Sequence, residues 1–236
     1  MERQAFRSEL VIAAILLAIG LVVGGYLMGN GLVRARHADR AVTMRGLAER
    51  DVTADLATWT LAYSATGSDV VSVQQQTDRA TGIILAMLAK AGFSRDEINV
   101  AGVNVSQYQR NDGGLNVTSR QRLQLRTTKV MAARRAFADQ AALVRQGVAL
   151  EDGSGIAYSF TKLNEIKPAM IAEATKDARK AAEQFAKDSG TSVGAIRQAT
   201  QGYFSIGARD GESGGSGSES PFQKVRVVTT IDFYLD

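Results

Sequence analysis

The chain has 236 residues, with 28 lysines and arginines, 24 aspartates and glutamates, one histidine and no cysteine. The lack of cysteine excludes disulfides, iron–sulfur clusters, thiolate zinc sites and cysteine nucleophiles, and a formal charge of +4 on so mixed a surface gives no reason to expect nucleic acid as a partner. A hydrophobic content of 45% with only two prolines fits a compact domain rather than a long disordered chain.

The N-terminal tail, residues 1–9, leads into Leu10–Val33, which carries no charge. At about 1.5 Å per residue it is long enough to cross a hydrocarbon core of roughly 30 Å with some tilt. It reads as a transmembrane anchor. The alternative is a cleaved signal peptide with Leu10–Val23 as its apolar region, but no A-x-A site follows before Arg34 and Arg36. Gly20 and Gly24 form one G-x-x-x-G for close helix pairing. Orientation is contested locally. Arg3 and Arg7 precede the segment and Arg34, Arg36, Arg40 and Arg45 follow it, which favours a cytoplasmic domain, whereas a short tail running straight into an apolar stretch is how a signal-anchor begins.

Beyond a juxtamembrane arm, residues 34–41, the patterning of 42–236 predicts an α+β domain. Val42–Arg50 and Asp55–Thr66 read as strands joined by Asp51–Ala54. Ser68 then caps a helix whose apolar stripe is Val73, Thr77, Ala80, Ile84, Met87 and Ala91, and Gly92 ends it. Ile98–Gln109 and Ser119–Val130 form a hairpin around Asn111–Gly114. A second helix, Met131–Gln146, buries Phe137, Ala141 and Val144 before Gly147, and a strand follows near Ile156–Thr161.

A third helix, Glu165–Ser189, carries Ile171, Ala174, Ala178, Ala181 and Phe185 on one stripe, with Asn164 as cap, Pro168 in the first turn and Gly190 at the end. Such an alanine stripe lets a helix approach a sheet closely. The closing strands are Val193–Ile206 and Gln223–Leu235, the latter alternating Val225, Val227, Thr229, Ile231 and Phe233 with Lys224, Arg226, Val228, Thr230 and Asp232. Between them the glycine- and serine-rich segment 207–221 reads as a flexible loop. The expected order is ββα-ββα-βα-ββ, with antiparallel or mixed sheets, helices packed on one side, and the transmembrane helix in front.

Several segments, Lys90-Ala91-Gly92-Phe93 with Asp96-Glu97-Ile98, Gly147 through Ser159-Phe160, Asp177-Ala178-Arg179 with Ala172, Ala174, Ala181, Phe185-Ala186, Gly190 and Val193-Gly194, and the closing Lys224–Leu235 strand, resemble those of the SIMPL-domain family of bacterial envelope proteins. The resemblance covers about 42–236 and lies in helix ends and packing positions, not reacting groups. It implies export, and so a domain in the periplasm anchored in the inner membrane. It implies no common activity and no enzyme.

The residues themselves offer little chemistry. His37, beside the anchor, excludes triads and metal sites that need a domain imidazole. Gly211-Glu212-Ser213-Gly214-Gly215 matches G-x-S-x-G without the strand and helix that make a nucleophile elbow, and no phosphate-cradling glycine motif opens a helix. The adjacent carboxylates Asp96–Glu97 and Glu151–Asp152 suit turns better than paired acid–base work. No cofactor, metal or catalytic residue is therefore expected.

Arg120, Arg122 and Arg126 alternate with Leu123 and Leu125, which places three guanidinium groups on one strand face, the candidate surface for an anionic ligand, lipid headgroup or acidic partner. The plainer alternative is a solvated face. The expected function is that of a membrane-anchored, non-catalytic interaction or assembly module of the cell envelope that self-associates or binds another envelope protein. The alternatives are an envelope hydrolase with an unrecognised site and a binder of anionic ligands through the arginine strand.

Overall fold

The computed structural model describes residues 17–29, 40–109, 113–210 and 219–236. Helix α1 is described over 17–29. The remaining parts of the expected span, 10–16 and 30–33, lie outside the described residues, as do His37 and 211–218. Among the described residues no helix is long and apolar enough to cross a membrane.

The order after α1 is β1 (Ala41–Thr53), β2 (Leu56–Gly67), α2 (Val70–Lys90), a short 3-10 turn (Arg95–Glu97), β3 (Ile98–Gln109), β4 (Leu115–Thr127), α3 (Val130–Ala138), α4 (Ala141–Arg145), β5 (Ala149–Leu150), β6 (Gly155–Ser159), α5 (Leu163–Asp188), β7 (Val193–Gln201), β8 (Ser205–Ala208) and β9 (Phe222–Leu235). The chain divides into two compact units, Met1–Ala48 with Ile171–Tyr203 and Val227–Asp236, and Glu49–Met170 with Phe204–Arg226.

In the first unit the strand order is β1-β9-β7, with β7 and β9 antiparallel. The alternation read for β9 holds, since Val227, Thr229, Ile231 and Phe233 are buried. Ile231 and Phe233 form a core with Ala178 and Ala182 of α5, against which Val42, Met44 and Val193 pack. Helix α5 lies so close to β1 that a methyl group on Gly46 would overlap the Ala174 carbonyl oxygen and stand 2.6 Å from the Ala178 nitrogen. The Leu47 amide donates to Asp177 at 2.9 Å in the same place.

The buried stripe of α5 runs through Ala174, Ala178, Ala182 and Ala186. The expected inclusion of Ala181 and Phe185 was wrong: both are exposed, because a face used at a strict spacing of four excludes the intervening positions. Asn164 is inside α5 rather than at its cap, and Pro168 lies beyond the first turn.

In the second unit the sheet runs β3-β4-β2, and β5 and β6 both pair with β2. Odd-numbered residues of β2, Ala57, Trp59, Leu61 and Tyr63, face a core shared with Ile84 and Leu88 of α2, Leu123 and Leu125 of β4, Ala133 of α3 and Leu143 of α4. Phe137 meets Trp59 edge-on, with ring centroids 5.6 Å apart.

Four expectations are corrected here. Asp69, not Ser68, caps α2, its carboxylate accepting from the Ser72 amide at 2.9 Å. The single helix expected over Met131–Gln146 breaks at Asp139 and Gln140, and the second piece turns so that Leu143 is buried while Val144 is 58% exposed and Ala141 faces solvent. The strand expected over Val193–Ile206 stops at Gln201 and resumes at Ser205, because the chain at Gly202 passes against β9, its amide donating to the Val228 carbonyl at 2.8 Å. Finally, the segment expected to be a loop is structured at its ends. Gly207 and Ala208 belong to β8, the Arg209 amide donates to the Phe222 carbonyl at 3.0 Å, and the Pro221 carbonyl accepts from Ala54 at 2.7 Å.

Candidate functional site

Strand β4 separates its residues by parity, as a pleated strand must. Val117, Ser119, Leu123, Leu125 and Thr127 are buried toward the helices, and Arg120, Arg122 and Arg126 point to the open face. Antiparallel pairing adds Ser64, Ala62, Thr60 and Thr58 of β2 opposite Arg120, Arg122, Gln124 and Arg126. On the other side Asn104 of β3 is opposite Arg120, and Asn99 is opposite Gln124. The face is therefore a field of hydroxyls and amides in which the arginines supply the charge.

The three arginines are not equivalent. Arg120 Nε is 3.1 Å from Glu151 Oε1, on the turn after β5. That turn is fastened to the edge of β2 by the Glu151 amide on the Ala62 carbonyl at 2.8 Å and by Ser154 Oγ, which accepts from the Ala62 amide at 3.0 Å. The side chains of Arg122 and Arg126 have no hydrogen bond or ion pair among the described residues.

On β3 the register with β4 slips between Val100 and Val103, leaving Ala101 and Gly102 outside the ladder, with Gly102 at φ 91°. This bulge opens a cavity of about 280 Å³ bordered by Gly102, Asn104, Arg120, Arg122 and Glu151. Arg126, four positions from Arg122 and so roughly 13 Å along the strand, is not part of its lining. The structure thus brings two of the three arginines to one concavity. Sequence reasoning missed Glu151 as a partner and missed the bulge, for which Ala101-Gly102 inside an otherwise regular strand was the available signal.

Glu97 does structural work. Glu97 accepts from the Ser94 amide at 2.8 Å and from Thr127 Oγ1 at 2.5 Å, with Lys129 Nζ at 3.3 Å, so that it ties the 3-10 turn to the end of β4. The Thr127 hydroxyl foremost, then the Ser94 amide, hold its pKa down at about 2. Burial pushes the Tyr63 phenol up, and its hydroxyl lies 2.6 Å from Thr81 Oγ1. A groove of about 600 Å³ beside α2 is lined by Ile83, Met87, Ala136 and Arg145. Among the described residues no three His, Cys, Asp or Glu side chains gather as a metal site would require. Gly211–Gly215 lies outside the described residues.

A comparison with curated proteins finds no match to the chain. Residues 42–233 match the SIMPL family, described as a protein of unknown function (DUF541), in agreement with the resemblance at the helix ends and in β9. The chain belongs to the SIMPL family.

Proposed function

We propose that the domain is a non-catalytic interaction module of the cell envelope, held to the inner membrane through residues 10–33, with the folded part in the periplasm, and working by pairing its open sheet edge with a second copy of itself. The observation that carries this reading is β3. It is a twelve-residue edge strand exposed along nearly its whole length, with Val100, Val103, Val105 and Tyr108 between 41% and 58% exposed. An unpaired edge of that length offers a row of amides and carbonyls to another strand, and proteins usually shield such edges. Strand β9 offers no such edge, since it lies between β1 and β7.

Support for the anchor comes from α1. Its Leu17, Leu21, Val22, Tyr26, Leu27 and Met28 are all more than 60% exposed, and a helix apolar on every side belongs in a core or a bilayer. Tethering raises effective concentration, so modest edge contacts suffice for assembly. The test is the mass of the detergent-extracted full-length protein over a range of concentrations, beside Val103→Lys and Val105→Pro. An oligomer that both substitutions dissociate supports pairing at β3. A wild-type chain that stays monomeric and retains no partner sinks it.

A second reading, the binding of anions, is favoured by the cavity at Arg120 and Arg122.

A further inference from the structure

We propose that the cavity beside the β3 bulge is a phosphate-monoester site in which Glu151 is a built-in competitor, occupying Arg120 until a dianion displaces it. The inference rests on the anion-binding reading and assigns it a ligand class and a regulatory group.

The bulge does two things at once. It removes Ala101 and Gly102 from the ladder, and it leaves no side chain at Gly102, where a Cβ would meet nothing within 4 Å. Ala101 and Gly102, which together face Arg122 across the bulge, line the space beside it with one methyl group and no side chain. Arg120 and Arg122 project from the same side of β4 about two residues apart, roughly 7 Å, and two planar forks at that spacing suit the several oxygens of one phosphate. Asn104, opposite Arg120, adds an exposed carboxamide.

Charge selects the class of ligand. The two guanidinium groups carry two positive charges and Glu151 cancels one, so the resting site holds one net positive charge. A carboxylate such as Glu151 already satisfies Arg120, and a dianion gains both arginines once Glu151 turns away. Glu151 can turn because its bond to Arg120 is a surface ion pair, with 56% and 29% of the two side chains exposed. Its backbone stays in place through the bond of its own amide to Ala62. A pair of that exposure is worth a factor of about five at most, weak enough for a ligand to break.

The terminal phosphate anion of such a monoester is presented both by inorganic phosphate, which shares its charge and oxygens, and by a phosphatidic acid headgroup. The full-length protein in neutral detergent is titrated at low ionic strength, in one arm with inorganic phosphate followed by 31P line broadening, in the other with short-chain phosphatidic acid mixed into the micelles. Glu151→Gln is expected to tighten binding about two- to fivefold. Arg122→Gln should weaken it tenfold or more, Arg122→Lys less, and Lys180→Gln on α5 not at all. All differences should shrink in high salt.

Binding in the first arm alone assigns a free phosphate, and binding in the second alone assigns a lipid headgroup. If an anion binds but Glu151→Gln leaves its affinity unchanged or weaker, the competitor role is overturned while anion binding stands. If Arg126→Gln weakens binding as much as Arg122→Gln, the cavity is not the site. If neither probe binds wild type or Glu151→Gln, the anion reading falls with the inference.

Discussion

The sharpest consequence of the fold concerns one hydrogen atom on Gly46. Replacing it by the methyl of Gly46→Ala puts a carbon far inside van der Waals contact distance of the Ala174 carbonyl oxygen and 2.6 Å from the Ala178 nitrogen. Both are backbone atoms of α5, so no rotamer change can relieve the overlap. The helix must retreat by an ångström or more, and Ala174, Ala178 and Ala182, all fully buried, then face gaps too narrow for water. Overpacking of this kind costs about 3 kcal/mol at the upper end of its usual range. Loss of the Leu47 bond to the Asp177 carboxylate adds roughly 1 kcal/mol. The expected loss is therefore about 4 kcal/mol, a large share of the 5–15 kcal/mol typical of a domain.

Urea titration of the full-length protein, followed by far-UV circular dichroism, measures that loss. Trp59 fluorescence in parallel reports on the unit that does not contain Gly46. Gly82→Ala is the matched control. Its Cβ would meet nothing within 4 Å in the interior of α2, so the same substitution should stabilise by about 0.5–1 kcal/mol. A Gly46→Ala loss below about 1 kcal/mol would show that α5 slides freely on β1 and would refute the close approach.

Two further outcomes follow from the packing and the charges. The Glu97 pKa is about 2 in the folded protein against an ordinary 4.5. Its stabilisation is therefore full above pH 4.5 and fades as pH falls toward 2. Discounted for solvent screening, Glu97→Gln should cost about 1–2 kcal/mol at pH 7 and only a small fraction of that near pH 2, as measured by denaturation across pH. A cost independent of pH would count against the carboxylate. Ala178→Leu should destabilise by about 1–3 kcal/mol in the same titration, since Ala178 is fully buried against Ile231 and Phe233, and a neutral result would put that helix face in solvent.

Features governed by neighbours along the chain are legible in the sequence itself. Gly92, Gly147 and Gly190 end helices with positive φ, as their places after apolar-periodic segments imply. The α2 stripe through Val73, Thr77 and Ile84 is buried, and the parity of Arg120, Arg122 and Arg126 puts all three on the open face. Each rests on a period of two or 3.6 and on local backbone sterics, which a sequence carries in plain form. Where a local signal is ambiguous, reading falters: Ser68 and Asp69 compete for one cap, and the periodicity of α3 and α4 does not announce the break at Asp139.

The sequence alone therefore determined the kinds of element, most of their faces, the family and the arginine row. Tertiary structure alone decided which strands are edges, leaving β3 open and enclosing β9, because the pattern within a strand does not name its neighbours. It also decided that Glu151 meets Arg120 across 31 positions and that Gly46 lies under α5. Contacts so distant in sequence depend on how whole elements pack. The candidate site takes its shape from such contacts, since the two-arginine cavity exists only where a bulge on β3, a turn after β5 and the face of β4 converge.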